Sequence, residues 1–337
     1  MNKINVAVVG YGQIGPVHVR SYKKIEDKVN VVAVVDKNIE RAKMAQEQYG
    51  IKNIYTDYKE LFKMKDLDVI DVCIPTYAHR DLVVEGARSG KHIFCEKPMA
   101  MTIDETNEME CECKKAGVKL QLGFCRRFDN QWLKFKDIVT GGLLGRPIVW
   151  RTASAGAGAP NPWFFQRDMG GGPFVDGAVH NYDFGNFMFG KVKCIKAGGT
   201  TLQSNRSAID TGIAEILYET GDILQMMWSW GLKSGVRGGG LHDVLGVDGT
   251  LLFQAPRKSE SVEQNQNKGY LTVIREGGKE EAHEFTLNDM YADQAEYFVD
   301  CILNDKQPEV TALQGQESLK VALGVLKAFE TGEPVYL

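Results

Sequence analysis

Three groups of residues in this chain have the types and spacing to do chemistry. The first is Gly10-Tyr11-Gly12-Gln13-Ile14-Gly15, a G-x-G-x-x-G run. Set between a strand and a helix, such a run cradles a pyrophosphate. The first glycine allows the tight turn, the second lets backbone approach the phosphates, and the third lets the helix pack on the strand. The helix N-terminus adds free N–H groups and a positive dipole end. Asp36 ends the next strand-like run, where an acid accepts hydrogen bonds from ribose hydroxyls and repels a 2′-phosphate. NAD is therefore the expected cofactor, with Lys37 beside the acid leaving NADP possible. The second group is Glu96-Lys97-Pro98, directly after the apolar run His92–Cys95. A lysine at a cofactor mouth loses proton affinity through desolvation and can exchange a proton with a substrate hydroxyl. The bland alternative is a solvated surface lysine. The third is Asp176 and His180, spaced to share one helix face. Imidazole beside carboxylate can accept a proton near neutral pH, or simply form a structural hydrogen bond.

Strands must alternate with helices to position the first two groups. Strand-like runs at Ile4–Gly10, Val29–Val35, Ile54–Tyr55, Val69–Pro75, His92–Cys95 and Lys119–Phe124 are separated by helical stretches to about Lys24, then at Ile39–Tyr49, Tyr58–Phe62, His79–Ser89 and Ile103–Ala116. That alternation specifies a doubly wound parallel sheet with right-handed crossovers, a Rossmann domain over 1–124. Ligands of such sheets bind beyond the carboxyl ends of the strands. Pro75 and Thr76 fall there and are expected to line the nicotinamide ribose pocket. His79 is a cofactor candidate or a residue that merely opens a helix.

Past Phe124 a helix, Asp129–Thr140, stops at Gly141-Gly142. Strand-like runs then follow one another at Ile148–Ser154, Cys194–Leu202, Thr211–Tyr218, Ile223–Trp230, Leu251–Phe253 and Tyr270–Ile274. Gly221-Asp222 separates two of them as a hairpin would. A helix near Phe174–Met188 interrupts the series, and helices Ala292–Leu303 and Gln314–Thr331 end it. The expectation is an α+β domain over 125–337 with a large, open, mostly antiparallel sheet. It would bind substrate and form a homodimer or homotetramer through that sheet, with Trp228 and Trp230 at the interface or in the core. The polar stretch Arg257–Lys268 reads as a surface loop.

With 337 residues and a net charge of −4, the chain has no basic field that would favour nucleic acid or an anionic membrane. No signal peptide and no transmembrane run is expected. The seven cysteines are scattered and odd in number, and Cys111 and Cys113 lack further ligands nearby. They read as reduced thiols, with no metal site and a cytoplasmic location.

Together, the glycine run, Asp36, Glu96-Lys97-Pro98 and Gly170-Gly171-Gly172-Pro173-Phe174-Val175-Asp176-Gly177-Ala178-Val179-His180 resemble the Gfo/Idh/MocA oxidoreductases. These include glucose–fructose oxidoreductase and inositol dehydrogenase. The resemblance runs from residue 4 to about 190 and returns in the tail from Gln314. It implies hydride transfer between nicotinamide and a secondary alcohol or ketone of a sugar, sugar derivative or cyclitol. Lys97 and His180 would contact the reacting hydroxyl. Asp176 would orient the substrate or His180, and Glu96 would hold Lys97 or the nicotinamide ribose. Cys125-Arg126-Arg127 is similar to a double-arginine segment in which the first arginine holds a polyol, so Arg126 is a substrate candidate and Arg127 an interdomain ion-pair candidate. Asn161 could bond sugar hydroxyls, and Trp163 could stack on a sugar face or belong to the core. The triple glycine departs from the close inositol dehydrogenase pattern, leaving the sugar open. Two alternatives stand: an NAD-dependent glycosidase working by transient C3 oxidation, and a non-catalytic sugar-sensing regulator on the same fold.

Overall fold

The computed structural model describes residues 3–255 and 267–337. In chain order the first elements are β1 (Ile4–Val9), α1 (Gly15–Lys24), β2 (Val29–Val35), α2 (Ile39–Tyr49), β3 (Asn53–Tyr55), β4 (Val69–Val72), α3 (His79–Arg88), β5 (His92–Cys95), α4 (Ile103–Ala116) and β6 (Leu120–Leu122). Then come α5 (Asn130–Thr140), β7 (Val149–Ala155), α6 (Val179–Phe189), β8 (Val192–Thr200), β9 (Thr211–Tyr218) and β10 (Ile223–Ser229). The series closes with β11 (Leu241–Gly246), β12 (Gly249–Leu252), β13 (Lys268–Ile274), β14 (Glu280–Thr286), α7 (Met290–Leu303), α8 (Ala312–Thr331) and β15 (Val335–Tyr336). The chain forms two compact units, Met1–Cys125 with Asp289–Leu319, and Arg126–Asn288 with Lys320–Leu337.

In the first unit six strands lie in the order β3-β2-β1-β4-β5-β6, every pair parallel. Crossover helices cover such a sheet on both faces, so its strands are mostly apolar, with Asp71 and Gln121 as buried exceptions. Val6, Ala7 and Val8 are fully buried. Strand order reverses beside β1, which makes the carboxyl ends of β1 and β4 the ligand-binding edge. Local signals set the helix ends. Asn38 caps α2 by accepting from the Glu40 N–H, and Thr102 with Glu105 forms a capping box at α4. Gly50 and Gly117 end these helices in the left-handed conformation.

Segment 289–319 was expected within the second domain, but it belongs to the first unit. Its helix α7 packs on α1 and buries Ala295, Phe298 and Val299 with Val6, Val8, Val19 and Tyr22. Lys28 pairs with Glu296 and Asp300 at 2.8 and 2.9 Å, which orients the helix at its exposed edge. The apolar stripe of α7 supplies the main stabilisation, because such partly exposed pairs contribute little.

The second unit holds nine strands in the order β14-β13-β12-β11-β7-β10-β9-β8-β15. β10 runs parallel to β7, and the other pairs are antiparallel. Alternation along β10 buries Leu224 and Met226 and turns Gln225 and Met227 outward. Trp228 and Trp230 share the inward side: a Cβ on Gly177 would lie 2.8 Å from the Trp230 ring and 3.5 Å from that of Trp228. The helix expected near Phe174–Met188 is in fact two pieces. Pro173–Gly177 is a π-turn, closed by the Ala178 N–H donating to the Pro173 carbonyl, and α6 follows. Asp176 and His180 thus do not share one regular α-helical face as expected. Of the polar stretch Arg257–Lys268, all but Asn267 and Lys268 lie outside the described residues, and Lys268 opens β13. None of the seven cysteines, all described, is in a disulfide. Among the described residues, no helix is long and apolar enough to cross a membrane.

Candidate functional site

The glycine loop leaves β1 with Gly10 at φ 98°, a left-handed backbone. A Cβ there would stand 2.4 Å from the Cys73 carbonyl oxygen, and one on Gly15 would stand 2.0 Å from that of Gly10. Both are fixed by close backbone packing. Gly12 differs: a Cβ would meet only Arg41 Nη1, at 3.9 Å. It is exposed, as is Gln13, and the space over it is an open cradle. The α1 N-terminus has Ile14 at its cap with no side-chain cap bond, and Pro16 in the first turn. These residues fit a dinucleotide pyrophosphate, which would meet main-chain N–H groups across Gly12.

Asp36 sits beside the loop, its Oδ2 accepting the Tyr11 N–H and its Oδ1 the Asn38 N–H, both at 2.8 Å. The carboxylate is thereby held where adenosine ribose hydroxyls would reach it. Tyr11 contributes main chain to the loop, while its ring joins the core and burial raises its phenol pKa. The neighbouring cation is not Lys37, which is exposed, but Arg41, whose Nη1 lies 4.0 Å from Asp36 Oδ2. Arg41 was missed because it stands one turn into α2 among other polar residues.

At the end of β4, Pro75 caps a short 3-10 turn, Thr76–Ala78, and Thr76 is buried. His79, expected at the cofactor, is instead committed to main chain. Its Nδ1 faces the Pro98 carbonyl at 3.0 Å and its Nε2 the Ile74 carbonyl at 2.8 Å. Burial lowers its pKa. The ring ties the loop after β4 to the loop after β5, and His79 opens α3, the other reading of this residue.

At the end of β5, Glu96 is buried and Lys97 half-buried. Glu96 Oε2 accepts the Lys97 N–H at 3.1 Å, and its Oε1 lies 3.0 Å from His18 Nε2. On the other side, His18 Nδ1 meets Asp71 Oδ2 at 2.8 Å. Neither His18 nor Asp71 was read from the sequence. A histidine on an amphipathic helix and an acid inside an apolar strand carry no periodic signal. His18, Asp71 and Cys73 bring potential metal-ligating atoms within 4.8 Å of one another, but the imidazole–carboxylate contact is a direct hydrogen bond.

In the second unit, Arg126 and Arg127 start a short turn and are both held by α6. Arg126 donates to Asn181 Oδ1 at 3.1 Å and lies 4.1 Å over the Trp132 ring. Arg127 forms a two-pronged pair with Asp183, Nε to Oδ2 at 2.9 Å and Nη2 to Oδ1 at 2.8 Å. Burial pushes the Asp183 carboxyl up, and Arg127 offsets part of that. The expected interdomain pairing of Arg127 is therefore corrected: both partners belong to one unit. Asp176, buried, sits in the π-turn with its N–H on the Gly172 carbonyl, and His180 is the second residue of α6. Asn161 precedes a 3-10 turn, Pro162–Phe165, in which Trp163 stacks on Phe164 at 3.7 Å. Phe164 in turn meets Trp230 edge-on.

Comparison with known proteins finds a family match in both parts of the chain. Residues 4–124 match the GFO_IDH_MocA model, described as an oxidoreductase family with an NAD-binding Rossmann fold. Residues 132–251 match the GFO/IDH/MocA C-terminal domain. The chain is 28% identical to a myo-inositol 2-dehydrogenase of Thermotoga maritima, over 99% of this chain and 98% of that one. It is 26% identical to a scyllo-inositol 2-dehydrogenase (NAD(+)) of Bacillus subtilis, over 100% of this chain and 97% of that one. A solved aldose-aldose oxidoreductase of Caulobacter crescentus shares the fold, with a TM-score of 0.83 at 24% identity and full coverage of both chains.

Proposed function

The chain belongs to the Gfo/Idh/MocA oxidoreductase family, and from that premise we propose that it interconverts a secondary alcohol and a ketone on a sugar, sugar derivative or cyclitol, with NAD as cofactor. One observation carries the reading. Lys97 lies inside the segment that matches the NAD-binding model, and Asp176 and His180 lie inside the segment that matches the C-terminal model. The inositol dehydrogenases among the relatives support the polyol class.

Bound NAD supplies the two-electron redox chemistry. The chain's own residues must bind it, orient the alcohol and take the hydroxyl proton. The glycine loop and Asp36 hold the dinucleotide, with Pro75 and Thr76 lining the strand end. An alcohol becomes a carbonyl only as its proton finds an acceptor, and His180 is the proposed acceptor. Lys97 is proposed to hydrogen-bond the same oxygen and Glu96 to steady Lys97. Asp176 is proposed to orient the substrate or His180. Arg126, Asn161 and Trp163 are the proposed polyol contacts. The test is a panel of polyols and aldoses with NAD⁺ and NADP⁺, read by absorbance of the reduced nicotinamide. Failure of every substrate with both cofactors contradicts the reading.

We also propose that the chain self-associates through the outer face of the second sheet. Ile213, Met227 and Leu241 are 58%, 39% and 41% exposed there and line a cavity of about 230 Å³. A monomer in sedimentation at micromolar concentration contradicts this.

A further inference from the structure

His18 stands between two buried carboxylates, 2.8 Å from Asp71 and 3.0 Å from Glu96. Each of these gaps needs a hydrogen. A neutral imidazole carries one and ionised carboxylates carry none, so the chain Asp71–His18–Glu96 holds one proton more than its neutral-ring form. The ring is its natural place, because there it makes two charge-assisted bonds at once. Burial opposes a charged ring, but the Asp71 carboxylate outweighs it and holds the imidazole pKa well above the usual range. His18 in turn draws the Glu96 carboxyl below its ordinary range against the pull of burial.

The geometry leads from this ring toward the chemistry. Glu96 uses one oxygen for His18 and the other for the main-chain N–H of Lys97, at 3.0 and 3.1 Å, and the Lys97 charge also favours its ionised form. Gly123 makes the room: a Cβ there would lie 2.7 Å from Glu96 Oε1. The other groups around the ring hold it without competing. Phe94 meets it edge-on at 5.4 Å and Tyr291 of α7 lies at 6.3 Å. The Cys73 thiol donates to Asp71 at 3.4 Å, and its pKa is raised by burial, so it stays neutral. Tyr22, on the same helix, has its phenol pKa raised by burial and by Asp71.

We infer that His18 is a positioning residue: an imidazolium clamped by Asp71 that fixes the Glu96 carboxylate, and so sets the main-chain position and the charge environment of Lys97. It sits on the helix that opens at the glycine loop, so one element would serve both phosphate binding and the lysine. The inference rests on the proposed role of Lys97.

The test uses the full chain as wild type, His18→Gln and His18→Gln/Asp71→Asn. The double variant removes one of the two buried acids that lose their cation in the single one. Ring-nitrogen NMR with labelled histidine should show one imidazole that keeps both nitrogens protonated above the pH at which an ordinary histidine loses its proton. On a polyol that the wild type oxidises, kcat should fall roughly tenfold with KM within about threefold. A His18 ring that titrates in the ordinary range overturns the inference, as does an unchanged kcat in a folded double variant. A wild type that oxidises no polyol refutes the proposed reaction instead, and the ring measurement still decides whether His18 is the clamped imidazolium.

Discussion

The Asp36 carboxylate accepts the main-chain N–H of Tyr11 at 2.8 Å, which joins the end of β2 to the glycine loop. One side chain therefore shapes the glycine loop and, in the proposed site, would face the adenosine ribose. Replacing it should affect both. Asp36→Ser is expected to weaken NADH binding roughly 10- to 100-fold, the scale of one or two lost charge-assisted hydrogen bonds. Arg41, 4.0 Å from Asp36, would then face a 2′-phosphate without the opposing acid. NADPH should bind at least as well to the variant as to the wild type. Fluorescence titration checks both, and a variant that keeps its NADH preference would show that Asp36 does not set it.

Two glycines of one loop should fail in different ways. Gly12→Ala adds a methyl over open space, so the fold should stand while the pyrophosphate loses its approach. Gly15→Ala drives a methyl to 2.0 Å from the Gly10 carbonyl, so the backbone must shift. Thermal melts should separate them: Gly12→Ala near the wild-type Tm with NADH affinity down roughly tenfold or more, and Gly15→Ala destabilised by about 1–3 kcal/mol. Equal melts for the two would contradict the distinction.

This contrast marks what the sequence made legible. The loop, Asp36 and the strand ends follow from short-range pattern, because β-branched runs and glycine spacing are local. The pairing of α7 with α1 is not local, and nothing in Phe298 or Val299 names its partner sheet. β14 was missed because Glu280, Glu281 and Glu284 make an edge strand look like a solvated loop. The π-turn was missed because i, i+4 spacing assumes a regular helix. His18 and Asp71 meet only through the fold, so the buried triad behind Lys97 could not be read from spacing.

His242 should make the second unit sensitive to acid. Its ring stacks on Phe253 at 3.5 Å and lies among Trp132, Phe135 and Trp150. Burial, helped by Arg126, lowers its pKa to about 4. A histidine depressed on folding contributes stability that is present above the unfolded pKa of about 6.5 and is lost as pH falls through the folded value. On the order of 3 kcal/mol is at stake across that window. His242→Phe should flatten the urea-midpoint profile between about pH 6.5 and about pH 4. A profile as steep as the wild type's would place the acid sensitivity elsewhere.

Lys97→Ala and His180→Ala should each lower kcat by roughly 100- to 10,000-fold, the range for a lost proton-transfer group. NADH affinity should stay within about threefold for His180→Ala. Steady-state rates on a confirmed polyol decide the matter, and an intact kcat would remove that residue from the chemistry.

The most direct measurement of the whole account is the stoichiometry of reduced cofactor to ketone on a polyol from the panel. Net alcohol oxidation requires one NADH for each ketone formed, with the ratio constant through the progress curve. Consumption of a glycoside with no accumulation of NADH would contradict it and would assign the chain to cleavage by transient oxidation.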